Sequence, residues 1–273
     1  LAKLARDLIT PYKIDQEVGE KQNLAVSLRL TGYLAGVILV FLGALYQSPT
    51  LVGPEGLGFD QAFGQEVLRV FIYSLAGIVA LNLVRLVMDR VILYKFKLEE
   101  EVVQGQNVGA GAAELGMYVA TGLMIAGAIS GDAAGTELNA ALIALAFFGL
   151  GLALLVVFAL FYQITTPYDI HSEIEGSNTA VGVAFGGNLV AIGLVTFKAL
   201  FGDFTGWGES IAAFLTFGII GFVLLYVMRF LIDLLLLPKF NVSQALANGR
   251  NVGVAVIESG VVISAALILF LAI

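Results

Sequence analysis

Seven long apolar runs alternate with short polar stretches along the 273-residue chain. The runs cover 24–46, 67–91, 108–129, 138–162, 180–200, 211–237 and 252–272. At about 20 residues or more, each can cross a hydrocarbon core about 30 Å thick as a helix. The runs are continuous, whereas strands of a membrane β-barrel would alternate every second residue over about ten residues. The expected fold is an all-α integral membrane protein.

The polar stretches carry a repeat, which fixes the topology. Each of its four copies has a polar approach, an Asn, and an apolar run with a Gly nine residues past that Asn. The pairs are Asn23/Gly32, Asn107/Gly116, Asn178/Gly187 and Asn251/Gly260. Copies one and three also share Pro11-Tyr12 with Pro167-Tyr168, and Glu17-Val18 with Glu173-Ile174. Copies two and four align without a gap: Lys95-Phe96 with Lys239-Phe240, Gly109 with Gly253, Glu114 with Glu258, Arg85 with Arg229, and Asp89 with Asp233. The unit is thus a hairpin: an incoming span, an approach segment, and an outgoing span led by Asn. All hairpins point the same way, as parallel repeats about an axis along the membrane normal do. Two halves are expected, 1–129 and 130–273. The first hairpin has only its outgoing span, and Leu1–Thr10 aligns with the tail of the fourth span. A missing upstream span, and an intact protein of eight spans, are therefore expected.

Composition agrees with the pattern. Hydrophobic residues make up 59% and charged residues 13%, about half the usual charged share of a soluble domain. A net charge of −7 excludes nucleic acid, which needs clustered Lys and Arg. The absence of cysteine excludes disulfide and thiolate chemistry. With a single His, no metal or cofactor is expected, and the lack of a clustered nucleophile argues against an enzyme. Lys and Arg gather at three of the four Asn junctions, while the opposite loops carry Glu55, Asp60, Glu66, Asp132, Glu137, Asp203 and Glu209 without them. The positive-inside rule then puts the junctions in the cytoplasm and Ile273 outside. The Pro167 approach is placed there by counting spans alone.

The Gly-x-Asn junctions Gly105-Gln-Asn107, Gly176-Ser-Asn178 and Gly249-Arg-Asn251, with the tandem hairpins, resemble a known family. It is the bacterial inner-membrane family of domain of unknown function 350, the YjfL-like proteins, here as two fused copies. The first copy departs from it with Lys21 in place of the Gly. The resemblance implies a membrane protein and carries no chemistry.

The candidate site residues are polar groups within or beside the spans. Asn23, Asn107, Asn178 and Asn251 read as helix N-caps; the other reading lines an entrance. Gly109, Gly116, Gly122, Gly186, Gly187, Gly253 and Gly260 read as small residues that let helices approach closely. Glu114 and Glu258 lie seven residues past their Asn, roughly 10 Å deep at about 1.5 Å per residue. A carboxylate there is costly unless paired, protonated or hydrated. It reads either as a proton or cation relay or as hydrogen-bonded glue. Arg85/Asp89 and Arg229/Asp233 sit i,i+4 on one helix face, as anchoring ion pairs or as partners of the two glutamates. Asn82 reads as an interhelical hydrogen bond, His171 as a solvated interfacial residue, and Trp207, Tyr46, Tyr94, Tyr162 and Tyr168 as an aromatic belt.

Two functions are carried forward. One is a small-ion or proton channel or transporter using the duplicated carboxylates; the other is a structural or accessory subunit of a larger membrane assembly. The partners expected are membrane lipids, with a homo-oligomer or a larger membrane complex.

Overall fold

The computed structural model describes Thr10, residues 12–46, 61–131 and 136–232, Leu234, and residues 241–272. The proposed helix tail before Thr10, Pro11, most of the 47–66 connection, Asp132, Asp233 and Lys239-Phe240 lie outside the described residues. What is described is helical, and seven helices are long and apolar enough to cross a membrane.

In chain order the helices are α1 (Leu24–Tyr46), α2 (Gln61–Val87), α3 (Leu98–Val103), α4 (Val108–Ala128), α5 (Glu137–Thr165), α6 (Ile170–Glu175), α7 (Thr179–Leu200), α8 (Trp207–Leu231), α9 (Val242–Ala247) and α10 (Val252–Ala272). A π turn, Gln16–Glu20, precedes α1 in the place that the short helices α3, α6 and α9 take before α4, α7 and α10. α2 ends in a second π segment, Met88–Ile92, and Ile232 and Leu234 repeat that geometry beyond α8.

Each approach segment ends in the same backbone device. The residue before every junction Asn is left-handed: Gln22 (φ 53), Gln106 (φ 48), Ser177 (φ 57) and Arg250 (φ 47). The Asn backbone N–H then reaches back to Glu17, Glu101, Glu173 and Ala245 carbonyls respectively, at 2.9–3.0 Å. A left-handed residue closed by such a back-reaching bond stops a helix and turns the chain sharply. None of the four is Gly, so the turn leaves no glycine signature in the sequence.

The four Asn-led helices, α1, α4, α7 and α10, stand side by side in one row. They are parallel: the contacts of α1 on α4 rise together from Gly32 at Leu115, through Gly36 at Tyr118, to Gly43 at Ala126. The α4–α7 joint rises likewise, from Gly116 at Gly186 to Gly127 at Phe197. In lipid there is no hydrophobic force between helices, so association rests on van der Waals contact. Each glycine costs a helix about 0.8–1 kcal/mol relative to alanine, offset by the backbone contact it permits. α4 and α7 are the most buried of the spans, whereas α2, α5 and α8 flank the row and expose apolar side chains such as Leu68, Leu145 and Ile219.

Glycine does not act alike everywhere. A Cβ on Gly32 would lie 2.5 Å from Leu115 Cα, on Gly116 2.5 Å from Gly186 Cα, and on Gly187 2.9 Å from Ser259 Cα. A Cβ on Gly260 would meet nothing within 4 Å, and on Gly253 only its own cap, Asn251 Oδ1. The expectation that Gly253 and Gly260 seat a neighbouring helix is therefore corrected: among the described residues no helix packs on either. Gly116→Val should overpack the α4–α7 joint and destabilise the protein by about 1–3 kcal/mol, read as a lower unfolding midpoint in detergent. Gly149→Ala, at a position with open space, should leave the midpoint unchanged or raise it.

Candidate functional site

The junction asparagines join one unit to the next. Each Oδ1 accepts from a backbone N–H of its own helix: Val26 (3.1 Å), Ala110 (3.1 Å), Ala180 (3.1 Å) and Val254 (3.1 Å). This satisfies a donor that the first helical turn leaves without a partner. The other end of the carboxamide points forward. Asn23 Nδ2 donates to Val102 O (3.0 Å), Asn107 Nδ2 to Ile174 O (2.6 Å), and Asn178 Nδ2 to Leu246 O (3.0 Å). These carbonyls belong to the last turns of α3, α6 and α9, which lack intrahelical partners for the same reason. A carboxylate of the same unit orients each amide: Glu17 (3.2 Å), Glu101 (2.9 Å) and Glu173 (2.8 Å). Lys21 above all, with help from Asn23, holds the Glu17 carboxyl below its ordinary value despite burial. In the fourth unit the aligned residue is Ala245, and Asn251 is exposed.

The charged groups gather on the first half. Arg29 is 1% exposed and Glu114 0%. Arg29 Nε donates to Glu114 Oε2, Nη1 to Glu99 Oε2 (3.1 Å) and to the Tyr12 hydroxyl (3.2 Å), and Nη2 to the Leu98 carbonyl (3.4 Å). The planar guanidinium thus meets acceptors on every nitrogen, which is what allows a charge to be buried. Arg85 Nη2 donates to the same Glu99 oxygen, while its Nε lies 3.8 Å from Glu114 Oε1 and 3.9 Å from Asp89 Oδ2. Two guanidinium groups and three carboxylates from α1, α2, the π segment, α3 and α4 form one network.

The second half is built differently. Arg229 occupies the place of Arg85, and Glu258 that of Glu114, but Ala184 stands where Arg29 would be and Ser243 where Glu99 would be. Glu258 is fully buried, with the Tyr162 hydroxyl and Asn188 Nδ2 each at 3.4 Å. Arg229 donates to Thr166 Oγ1 (2.9 Å), and its guanidinium lies 4.6 Å from the Tyr162 ring centroid. Burial first, then the nearby Glu258, push the Tyr168 hydroxyl well above its ordinary value. A void of about 10 Å³ beside Tyr162, Asn188 and Arg229 has room for about one water. The two glutamates sit in different joints, Glu114 between α1 and α4 and Glu258 between α7 and α10.

Several residues take places other than those expected. Tyr162 and Tyr168 face Glu258 and Arg229 rather than belting an interface. His171 is buried, not solvated: Nε2 donates to Ile92 O (2.8 Å), Nδ1 accepts from Gln163 Nε2, and the ring packs edge-on to Tyr94 at 4.9 Å. The carbonyl it uses lies at the end of the π segment. Arg29 was legible only as a junction cation, yet it lies six residues past Asn23, at nearly the depth of Glu114.

Tandem, parallel α-helical hairpins with buried ion pairs between successive units define a multi-pass membrane protein of repeated architecture. Sequence comparison agrees: the profile described as Domain of Unknown Function (DUF350) matches twice, over residues 1–129 and 136–273. The chain belongs to this family. It is similar to a UPF0719 transmembrane protein of Aquifex aeolicus (strain VF5), at 21% identity over 94% of this chain and 88% of that protein. It is also similar to the UPF0719 transmembrane protein YshE of Bacillus subtilis (strain 168), at 29% identity over 40% of this chain and 77% of YshE. No solved structure matches. The protein is a multi-pass protein of the bacterial inner membrane. Among the described residues, no group of three or more His, Cys, Asp and Glu could hold a metal ion.

Breaking the Arg29–Glu114 pair should be costly. Arg29→Leu strands a buried carboxylate and should destabilise by about 3–5 kcal/mol. Arg29→Leu with Glu114→Leu should recover most of that loss, as measured by unfolding midpoints in detergent.

The α6 junction should respond to pH. The hydrogen bond from Lys95 holds Asp169 down to about 2, so its contribution is present above the ordinary 3.8 and lost as pH falls through about 2. Burial favours neutral His171, whose contribution is present above the ordinary 6.5 and lost below it. Between about pH 7.5 and about pH 5 the imidazole dominates at this junction. Stability should fall across that window, and His171→Gln should flatten the fall; an unchanged slope would contradict the assignment.

Proposed function

We propose that the chain is a structural subunit of a larger membrane assembly, a rigid bar of tandem hairpins with its junction end in the cytoplasm. The observation that carries this reading is how the polar groups are used. The Glu114 charge is taken up by Arg29 and Arg85, and the junction amides connect successive units. Among the described residues the inner helices meet backbone to backbone at Gly32, Gly116 and Gly182. The accumulation of Lys and Arg at three junctions supports their cytoplasmic placement.

A second reading, a proton or small-ion path, has one observation in its favour. Glu258 is met by a hydroxyl and an amide, with a water-sized void beside them. A carboxyl hydrogen-bonded to neutral groups beside a water site is suited to taking up and passing on a proton. The two readings part in purified vesicles loaded with a pH-sensitive dye. The structural role predicts proton flux no greater than in protein-free vesicles. Flux that is present in the natural protein and lost in Glu258→Gln would overturn it in favour of the path.

A further inference from the structure

We infer that a recess between the ends of α5 and α8 binds the phosphate of an anionic phospholipid, which stands in for a carboxylate that the first half supplies from its own chain. Such a site is compatible with the structural role proposed above and does not depend on it.

The two halves keep the same arginine and differ in what meets it. In the first, Arg85 Nη2 donates to Glu99 in the first turn of α3. In the second, Arg229 keeps the place of Arg85, but Ser243 stands in that of Glu99 and Tyr226 in that of Asn82. The acid that faces the guanidinium from the short helix is thereby replaced by a hydroxyl. Beside Arg229 there is instead a recess of about 320 Å³. Its polar lining is Arg229, Thr165, Tyr226 and Ser243, and among the described residues no carboxylate lines it. Glu258 is fully buried in the α7–α10 joint and does not border it. One cation with hydroxyl groups and no acid is a lining complementary to an anion. Arg229 is also held in position: Nη1 donates to Thr166 Oγ1 (2.9 Å), and the guanidinium lies 4.6 Å from the Tyr162 ring centroid. The planar fork of a guanidinium matches two oxygens of a phosphate.

Position selects a lipid over a free anion. Thr165 ends α5, Arg229 lies in the last turn of α8, and Ser243 lies in the first turn of α9. The recess is therefore where the spans leave the hydrocarbon. Phospholipid phosphates lie at that depth, and basic pockets between spanning helices bind anionic headgroups there. The rim is apolar: Val227 and Phe230 border the recess from α8 and are 42% and 65% exposed. An inorganic phosphate gains nothing from such a rim, whereas the acyl chains of a phospholipid lie along it in van der Waals contact. The walls come from the third and fourth hairpins, two successive units of the chain, so the recess is complete within it.

Native mass spectrometry of the full-length protein in detergent counts the lipids bound after addition of phosphatidylglycerol or phosphatidylcholine. Phosphatidylglycerol should be held about tenfold more tightly than phosphatidylcholine, whose choline neutralises its phosphate. Arg229→Gln should weaken phosphatidylglycerol about tenfold by removing the charge. Ser243→Glu should weaken it as much while keeping Arg229, because it restores the carboxylate of the first half; this variant decides the matter if Arg229→Gln does not fold. Arg90→Gln removes an exposed arginine at the corresponding end of the first half and should leave binding unchanged. Equal binding of the two lipids, full retention in Ser243→Glu, or an equal loss in Arg90→Gln overturns the site. Displacement of bound phosphatidylglycerol by inorganic phosphate at equal concentration overturns the lipid as occupant in favour of a free anion.

Discussion

Everything in this fold depends on a carboxamide at the seam between repeats. A junction Asn faces two sets of backbone groups without partners, the N–H groups opening its own long helix and the carbonyls closing the next short one. One side chain serves both, because the amide carries an acceptor and donors a short distance apart. That fixes how far one unit is displaced from the next. Gly32, Gly116 and Gly187 then decide how closely the helices approach. The left-handed residue before each Asn sets the angle at which the chain enters.

The two halves spend this frame differently. In the first, Arg29 enters from the neighbouring helix and neutralises Glu114, so the carboxylate becomes part of the seam. In the second, Ala184 stands in the place of Arg29, and Asn188 and Tyr162 approach Glu258. Duplication kept the glutamate and changed its surroundings. A two-fold repeat in sequence therefore does not imply two equivalent sites.

The spans and the hairpin unit were legible because a run of about 20 apolar residues has few other fates, and because four Asn–Gly spacings recur. The all-α architecture follows from the same pattern. The surroundings of the glutamates were not legible, since they depend on which helices become neighbours. Arg29 looked like one more junction cation until parallel packing brought it to the depth of Glu114. His171 lies in a polar stretch, which reads as solvated; it is buried because the π segment ends with its Ile92 carbonyl aimed at the ring. The four-fold left-handed turn was hidden because Gln, Ser and Arg fill it rather than Gly. Gly253 and Gly260 carry the repeat's spacing, yet no described helix packs on them, so sequence equivalence did not bring equivalent contacts.

The seam can be tested by comparing two chemically identical substitutions. Asn178 caps α7 and also donates to Leu246, Ala247 and Glu173, whereas Asn251 caps α10 from an exposed position. Asn251→Ala should cost the single chain only a cap, about 1 kcal/mol. Asn178→Ala should lower the unfolding midpoint in detergent several times further, since it also strands buried acceptors. Equal losses would show that the asparagines are ordinary caps and that the forward bonds do not hold the units together.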